Sequence, residues 1–143
     1  MDVRSGTHAE QTARIMVRLE KVLREVGRSV VVAEGDTNTV LASALVCAKT
    51  GNLFAHVEAG LRSYDHSMPE EINRIVTGAI ASVHFAPTVR AALNLLYEGV
   101  LPYQIFITGN TIVDVVLKCK DVALFKSRRL FWKGISQKRY ICI

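Results

Sequence analysis

Carboxylates follow two apolar runs of this chain and also lie at the start of a predicted helix. Asp36 follows residues 30–33, and Glu58 follows residues 53–57. Glu70 stands in what reads as the first turn of a helix that begins with proline. If the two runs are parallel strands, their carboxyl ends meet at the edge of the sheet where open α/β folds bind ligands. We therefore expect Asp36, Glu58 and Glu70 to lie along one rim, where paired carboxylates could act as general acids and bases.

Each of these residues also has a local explanation. Asp36 could cap the helix that follows it, and Glu70 could be a favourable charge in a first helical turn. Arg62 and Arg74 could pair with Asp65 or Glu71 on the surface. Glu58 has no such local role, because nothing nearby requires a carboxylate between Val57 and Ala59. The residues alone leave these alternatives open.

The elements that must position these residues alternate along the chain. Thr7 and Glu10 have the spacing of a capping box, and apolar residues then recur at helical spacing until Gly27, which predicts a helix over 8–26. Apolar strands are predicted at residues 30–33, 53–57, 83–86 and 105–108. Helices are predicted at residues 38–49, 69–80 and 88–99, and from 111 through 117 or to 124. This alternation predicts an α/β fold with a parallel sheet, right-handed crossovers and strands buried on both faces.

Composition excludes several classes of protein. No apolar run approaches the roughly 18 residues of a membrane span, and the N-terminus has no signal-peptide pattern, so we expect a cytoplasmic protein without a membrane partner. The three cysteines and four histidines lack ligand spacing, which predicts buried hydrophobic cysteines and no metal site. The net charge is +5, and eight of the lysines and arginines lie in residues 118–143. Without a nucleic-acid motif beside it, this basic tail reads as a solvated linker rather than a nucleic-acid interface.

Six blocks of sequence, in order, resemble the non-hydrolysing UDP-N-acetylglucosamine 2-epimerases. They read SGTHAEQT at 5–12, GDTNTVLASAL at 35–45, HVEAGLRS at 56–63, MPEEINRIVT at 68–77, FAPT at 85–88 and FITGNTIVD at 106–114. Single blocks of this length arise by chance, but six in the same order and spacing do not. The resemblance covers residues 5–117 and becomes looser from Val122 onward.

The resemblance implies a fold, a reaction and partners. It implies half of a glycosyltransferase-B-like architecture, in which two Rossmann-like domains hold a UDP-sugar between them and no cofactor is required. Residues 1–121 would form part of the N-terminal Rossmann-like domain, and residues 122–143 a basic linker with the first strand of a second domain. The implied partners are the UDP-sugar substrate and either a separately encoded second domain or a second copy in a homodimer. Isolated, such a chain is expected to have little epimerase activity.

The resemblance also implies roles for particular residues. Asp36, Glu58 and Glu70 match the positions of the family's catalytic carboxylates. Substrate-binding positions, which orient the sugar nucleotide or hold the carboxylates, are matched by Arg62, Asn73, Arg74, Asn110 and Thr111. Our interpretation is that Asp36 and Glu70 handle the proton at C2 of the sugar, while Glu58 acts as an orienting or acid group. As an alternative function, the chain could be a non-catalytic nucleotide-sugar-binding or assembly module that pairs with a separate second half.

Overall fold

The computed structural model of the chain describes residues 6–120. Four strands alternate with four helices in this part of the chain, followed by a helical segment at residues 111–120. In chain order the elements are α1 (His8–Val26), β1 (Val30–Glu34), α2 (Asn38–Thr50), β2 (Leu53–Val57), α3 (Pro69–Ile80), β3 (Val83–Ala86), α4 (Val89–Tyr97) and β4 (Ile105–Ile107). Every predicted helix and strand within the described residues is confirmed, with ends shifted by at most two residues.

The residues that were predicted to cap the helices make the expected contacts. The Thr7 hydroxyl accepts a hydrogen bond from the Glu10 amide, and the Glu10 carboxylate accepts one from the Thr7 amide, so both halves of the capping box are present. The Thr88 hydroxyl likewise accepts from the Ala91 amide at the start of α4. Gly51 ends α2 with the left-handed backbone that glycine adopts without strain.

All four strands are parallel and lie in the order β1-β2-β3-β4. Each connection moves to the next strand in the same direction. Crossovers between parallel strands are right-handed almost without exception, so the crossover helices lie on one face of the sheet. Phe54 of β2 and Val31 of β1 pack on that face against α1 and α2. A second cluster joins α4 to Ala86 and Ile105.

The prediction that the strands are buried on both faces is wrong for the described part of the chain. Side chains that alternate with the buried ones remain 49–61% exposed at Val30, Val32, Leu53 and Phe106. The reason is the strand order: successive right-handed crossovers in the same direction place α2, α3 and α4 on one face of the sheet, so these crossover helices leave the other face uncovered. We call this second surface the open sheet face.

The chain divides into two compact units, Met1–Gly109 and Asn110–Ile143. The domain boundary predicted between residues 121 and 122, the first strand of the predicted second domain and the helix beyond residue 120 lie outside the described residues, as does most of the basic tail. Cys47 is buried as expected, but Cys119 is exposed, against the prediction. None of the helices within residues 6–120 combines the length and the apolar character needed to cross a membrane.

Candidate active site at the carboxyl edge of the sheet

The turn after β1 places Asp36 at the carboxyl edge of the sheet. Gly35 has a φ of 88°, and its amide donates to the Val57 carbonyl at 3.1 Å, which joins this turn to the end of β2. The ring Nε2 of His56 lies 2.8 Å from the Gly35 carbonyl oxygen. A carbonyl oxygen only accepts, so this nitrogen carries the proton. The backbone before Asp36 is therefore fixed from the neighbouring strand.

Helix α3 reaches over this turn and holds Asp36 from two positions. The Arg74 guanidinium donates to the Asp36 carboxylate at 2.5 Å and to the Glu71 carboxylate at 2.9 Å. The Asn73 amide donates to the Asp36 carbonyl at 2.8 Å. About a third of the Asp36 side chain, 32%, stays exposed. Asp36 is thus fixed in orientation and still open to a ligand.

The loop at residues 58–68 connects the end of β2 to the start of α3, and Glu58 is its first residue. Glu58 has a φ of 65°, and Tyr64 in the same loop has a φ of 60°. Left-handed backbone is costly for residues with a side chain, and it persists where the surroundings determine it, often at functional sites. Two contacts here determine it: the Ala59 amide donates to the Phe85 carbonyl at 3.1 Å, and the Tyr64 amide donates to Glu71 at 3.0 Å.

Arg62 holds the same loop against α4. Its side chain is 1% exposed, and its guanidinium donates to both carboxylate oxygens of Glu98, at 2.8 and 2.6 Å. The Asn94 amide also donates to the Gly60 carbonyl at 2.9 Å. The alternative that Arg62 pairs with Asp65 or Glu71 is wrong, since Glu98 is its partner; the Arg62 side chain is buried in this pair, while the Glu98 side chain stays 35% exposed.

The predicted residues fall into four groups by position. Asp36, Asn73 and Arg74 are in direct contact. Glu58 follows the strand next to the one that precedes Asp36, and Glu70 lies partly buried in the first turn of α3, so both share this edge. Arg62 is turned to α4. The last two, Asn110 and Thr111, belong to the second unit, and their predicted role stays a prediction.

The alternative that Asp36 caps the helix that follows it, α2, is wrong. Thr37 occupies the N-cap position of α2, and no side-chain hydrogen bond caps that helix. The Asp36 carboxylate is instead paired with Arg74.

Three residues that hold the site together were not among the predicted site residues. Glu71 is fully buried, although its possible pairing with an arginine was expected on the surface. The i, i+3 spacing to Arg74 signalled their pairing but not their burial. No local pattern signals Glu98 or Asn94, since their partners lie more than thirty positions away.

Two buried histidines lie side by side on the face of the sheet that carries the helices. His56 and His84 are register partners in β2 and β3, and each is 1% exposed. The His84 Nε2 lies 2.9 Å from the Gly78 carbonyl oxygen. Burial lowers the pKa of both rings, and the positive charge of Arg62 lowers it further. Within residues 6–120, no three His, Cys, Asp or Glu side chains are grouped to hold a metal ion.

These histidines predict acid-sensitive folding. The unfolded chain binds protons at the ordinary histidine pKa of 6.5, and the folded chain binds them only at a lower pH. The two histidines therefore do not reduce the free energy of unfolding above about pH 6.5. Below that pH they lower it by up to about 1.4 kcal/mol per pH unit for each histidine. Urea unfolding between pH 7.5 and 5.5 measures this. H84Q should reduce the slope, and H66Q, which changes an exposed histidine, should not; a flat profile for the native chain would contradict the prediction.

Comparison with known proteins identifies relatives of the whole chain. The sequence model of the family described as UDP-N-acetylglucosamine 2-epimerase matches residues 1–143. The UDP-N-acetylglucosamine 2-epimerase of Methanocaldococcus jannaschii is 54% identical over 123 residues, which are 86% of this chain and 34% of that protein. The chain thus spans about a third of the length of the curated relatives it matches.

Solved structures agree with the sequence comparison. The Methanocaldococcus jannaschii UDP-GlcNAc 2-epimerase, in complex with UDP-GlcNAc and UDP, superposes with a TM-score of 0.83 at 50% identity, covering 95% of this chain and 38% of that one. The Neisseria meningitidis UDP-GlcNAc 2-epimerase bound to UDP-GlcNAc gives a TM-score of 0.80 at 32% identity, with coverages of 95% and 38%.

Proposed function

Because the chain belongs to the UDP-N-acetylglucosamine 2-epimerase family, we propose that it supplies one wall of the active site of a non-hydrolysing 2-epimerase. The reaction interconverts UDP-N-acetylglucosamine and UDP-N-acetylmannosamine. The substrate class follows from the solved relatives, two of which hold UDP-GlcNAc. The cytoplasmic location expected from the sequence stays a prediction.

The chemistry of this reaction requires carboxylates. The C2 hydrogen of the sugar has no neighbouring carbonyl to acidify it, so the proposed route eliminates UDP to give 2-acetamidoglucal and then adds UDP back. During elimination the C2 proton passes to a base, and the C1–O bond breaks with its electron pair on the departing UDP. Re-addition reverses these steps with the proton delivered to the opposite face of C2. Two faces of C2 therefore need two proton-handling groups.

One observation carries the proposal: Asp36 is fixed by Arg74 and Asn73 at the carboxyl edge of the sheet, with about a third of its side chain exposed. A general base needs this combination of fixed orientation and access. We assign proton transfer at C2 to Asp36 and Glu70, and an orienting or acid role to Glu58. Asn73 and Arg74 hold Asp36 toward the sugar.

The remaining residues of the proposed site act at its borders. Arg62 supports substrate binding by holding the 58–68 loop on α4. We retain Asn110 and Thr111 as substrate contacts and 121 and 122 as the domain boundary, both as proposals. The other wall comes from a second Rossmann-like domain, supplied by a separate chain or by a longer form of this one, and a homodimer is a further arrangement consistent with the family.

A chimera tests the proposed function. In it, this chain replaces the homologous third of the Methanocaldococcus jannaschii 2-epimerase, and formation of UDP-N-acetylmannosamine is followed over time. We expect turnover in the ordinary range of about 1–10³ s⁻¹ for the chimera. The isolated chain should show little or none, because a site with one wall neither excludes water nor orients the pyrophosphate. A folded chimera without turnover would overturn the proposal.

The open sheet face favours a second candidate function, in which the chain is a non-catalytic module that binds the nucleotide sugar or assembles with a separate second half. Val30, Val32, Leu53 and Phe106 form an apolar surface that helices α1 to α4 do not cover. Such surfaces mark interaction sites. A chimera that folds and binds UDP-GlcNAc, but does not convert it, would support this second candidate over the first.

A further inference from the structure

Glu71 is a buried carboxylate with several hydrogen-bond donors directed at it. Its side chain has no solvent exposure. The Ser63 amide donates to Oε2 at 3.0 Å, the Tyr64 amide to Oε1 at 3.0 Å, and the Arg74 guanidinium to Oε2 at 2.9 Å. A buried charge is stable only when it is paired and hydrogen-bonded, and here both conditions hold.

These donors keep Glu71 ionised. Burial alone would raise the pKa of its carboxyl group, but the hydrogen bonds from Ser63, Arg74 and Tyr64 outweigh burial and lower the pKa to about 2. At neutral pH the contacts are therefore charge-assisted, and such hydrogen bonds are about twice as strong as neutral ones.

Through these contacts Glu71 joins two segments that carry proposed catalytic residues. On one side it fixes the backbone of the 58–68 loop, which begins at Glu58. On the other side it fixes Arg74, whose second terminal nitrogen donates to Asp36. Asp36 lies 35 positions before Glu71 in the chain, so no local structure would hold it at this place.

The loop needs such a constraint because part of its backbone is strained. Tyr64, whose φ is 60°, is one of the two residues whose amides donate to Glu71. A left-handed backbone at a residue with a side chain costs about 1–3 kcal/mol and persists only when neighbouring contacts impose it.

We propose that Glu71 is a positioning residue: its carboxylate fixes the Ser63–Tyr64 backbone and the Arg74 guanidinium together, and so sets the placement of Asp36 relative to the Glu58 loop. Glu70, one position earlier, keeps the role in proton transfer that is proposed for it above. The positional part of this inference is independent of the proposed function, whereas its effect on turnover rests on it.

Amide hydrogen exchange of the 143-residue chain, followed by NMR, tests the positional part. Ser63, Tyr64 and His66 are all exposed residues. Because the Ser63 and Tyr64 amides donate to Glu71, they should nevertheless exchange at least about 100-fold more slowly than the His66 amide. Exchange of all three at the same rate would overturn the proposal without any variant.

E71Q and E70Q form a matched pair of variants. E71Q keeps the size of the side chain and removes its charge, so exchange at Ser63 and Tyr64 should accelerate at least about 10-fold beyond any change at the core amide of Phe54. E70Q should leave the exchange of both loop amides unchanged. Equal acceleration at all amides in E71Q would mean that Glu71 only stabilises the fold, and would contradict the positioning role.

Turnover separates the two proposals. In the chimera, E71Q should lower kcat at least about 10-fold with KM changed less than about threefold, because placement of the reacting groups affects the transition state more than substrate binding. Unchanged kcat would overturn the effect on turnover. If the chimera is inactive while E71Q still releases the loop amides, the proposed function fails and the positional role of Glu71 stands.

Discussion

D36N in the chimera is expected to lower kcat by about 10²–10⁴-fold, the range typical of losing a general acid or base. Asparagine keeps the shape of the side chain, and its amide oxygen can still accept from Arg74, so the turn after β1 should remain in place. What disappears is the group that takes the proton. Steady-state turnover of UDP-N-acetylglucosamine measures the effect.

E34Q is the matched control for this prediction. Glu34 ends β1 two positions before Asp36, and its side chain is exposed. The same acid-to-amide change at Glu34 should leave kcat within about threefold of the unmodified chimera. If D36N also stays within threefold, Asp36 is not a proton-handling group, and the role assigned to it is wrong.

G60A is expected to give the largest loss of stability, about 2–5 kcal/mol. Gly60 has a φ of 82°, which costs alanine about 1–2 kcal/mol. An added Cβ would also lie 2.2 Å from the Ala91 carbonyl oxygen, and this backbone atom of α4 has no freedom to move aside. Relieving such an overlap typically costs a further 1–3 kcal/mol or so. Urea unfolding at pH 7.5 measures the total.

G99A separates the two contributions. Gly99 has a φ of 92°, and a Cβ added there would meet no atom within 4 Å. G99A should therefore lose only the conformational part, about 1–2 kcal/mol. Equal losses in the two variants would show that the close approach of the 58–68 loop to α4 does not constrain the fold.

The resemblance carried by six sequence blocks is confirmed by the family match over residues 1–143. These blocks contain turns and strand ends, where Gly35 and Gly60 have left-handed conformations and polar residues meet the edge of the sheet, together with the first turns of α1, α2 and α3. They identify the family even though this chain spans only about a third of its relatives' length.

Local sequence determined the helices, the strands and their succession along the chain. The capping box of Thr7 and Glu10, the alternation of apolar runs with helical periods, and the carboxylates after β1 and β2 depend on residues a few positions apart. Parallel pairing of consecutive strands then brings the ends of β1 and β2 to one edge without further information.

Tertiary structure alone decided how the charged side chains are shared. Arg74 reaches back 38 positions to Asp36, and Arg62 reaches forward 36 positions to Glu98. Sequence shows that Glu71 and Arg74 lie one helical turn apart, but only the packed fold shows that Glu71 is buried beneath the 58–68 loop. The physical reason is that burial and hydrogen bonding depend on the three-dimensional packing of distant segments, while capping and periodicity depend on near neighbours. The open sheet face has the same origin, because the strand order decides which face the helices cover.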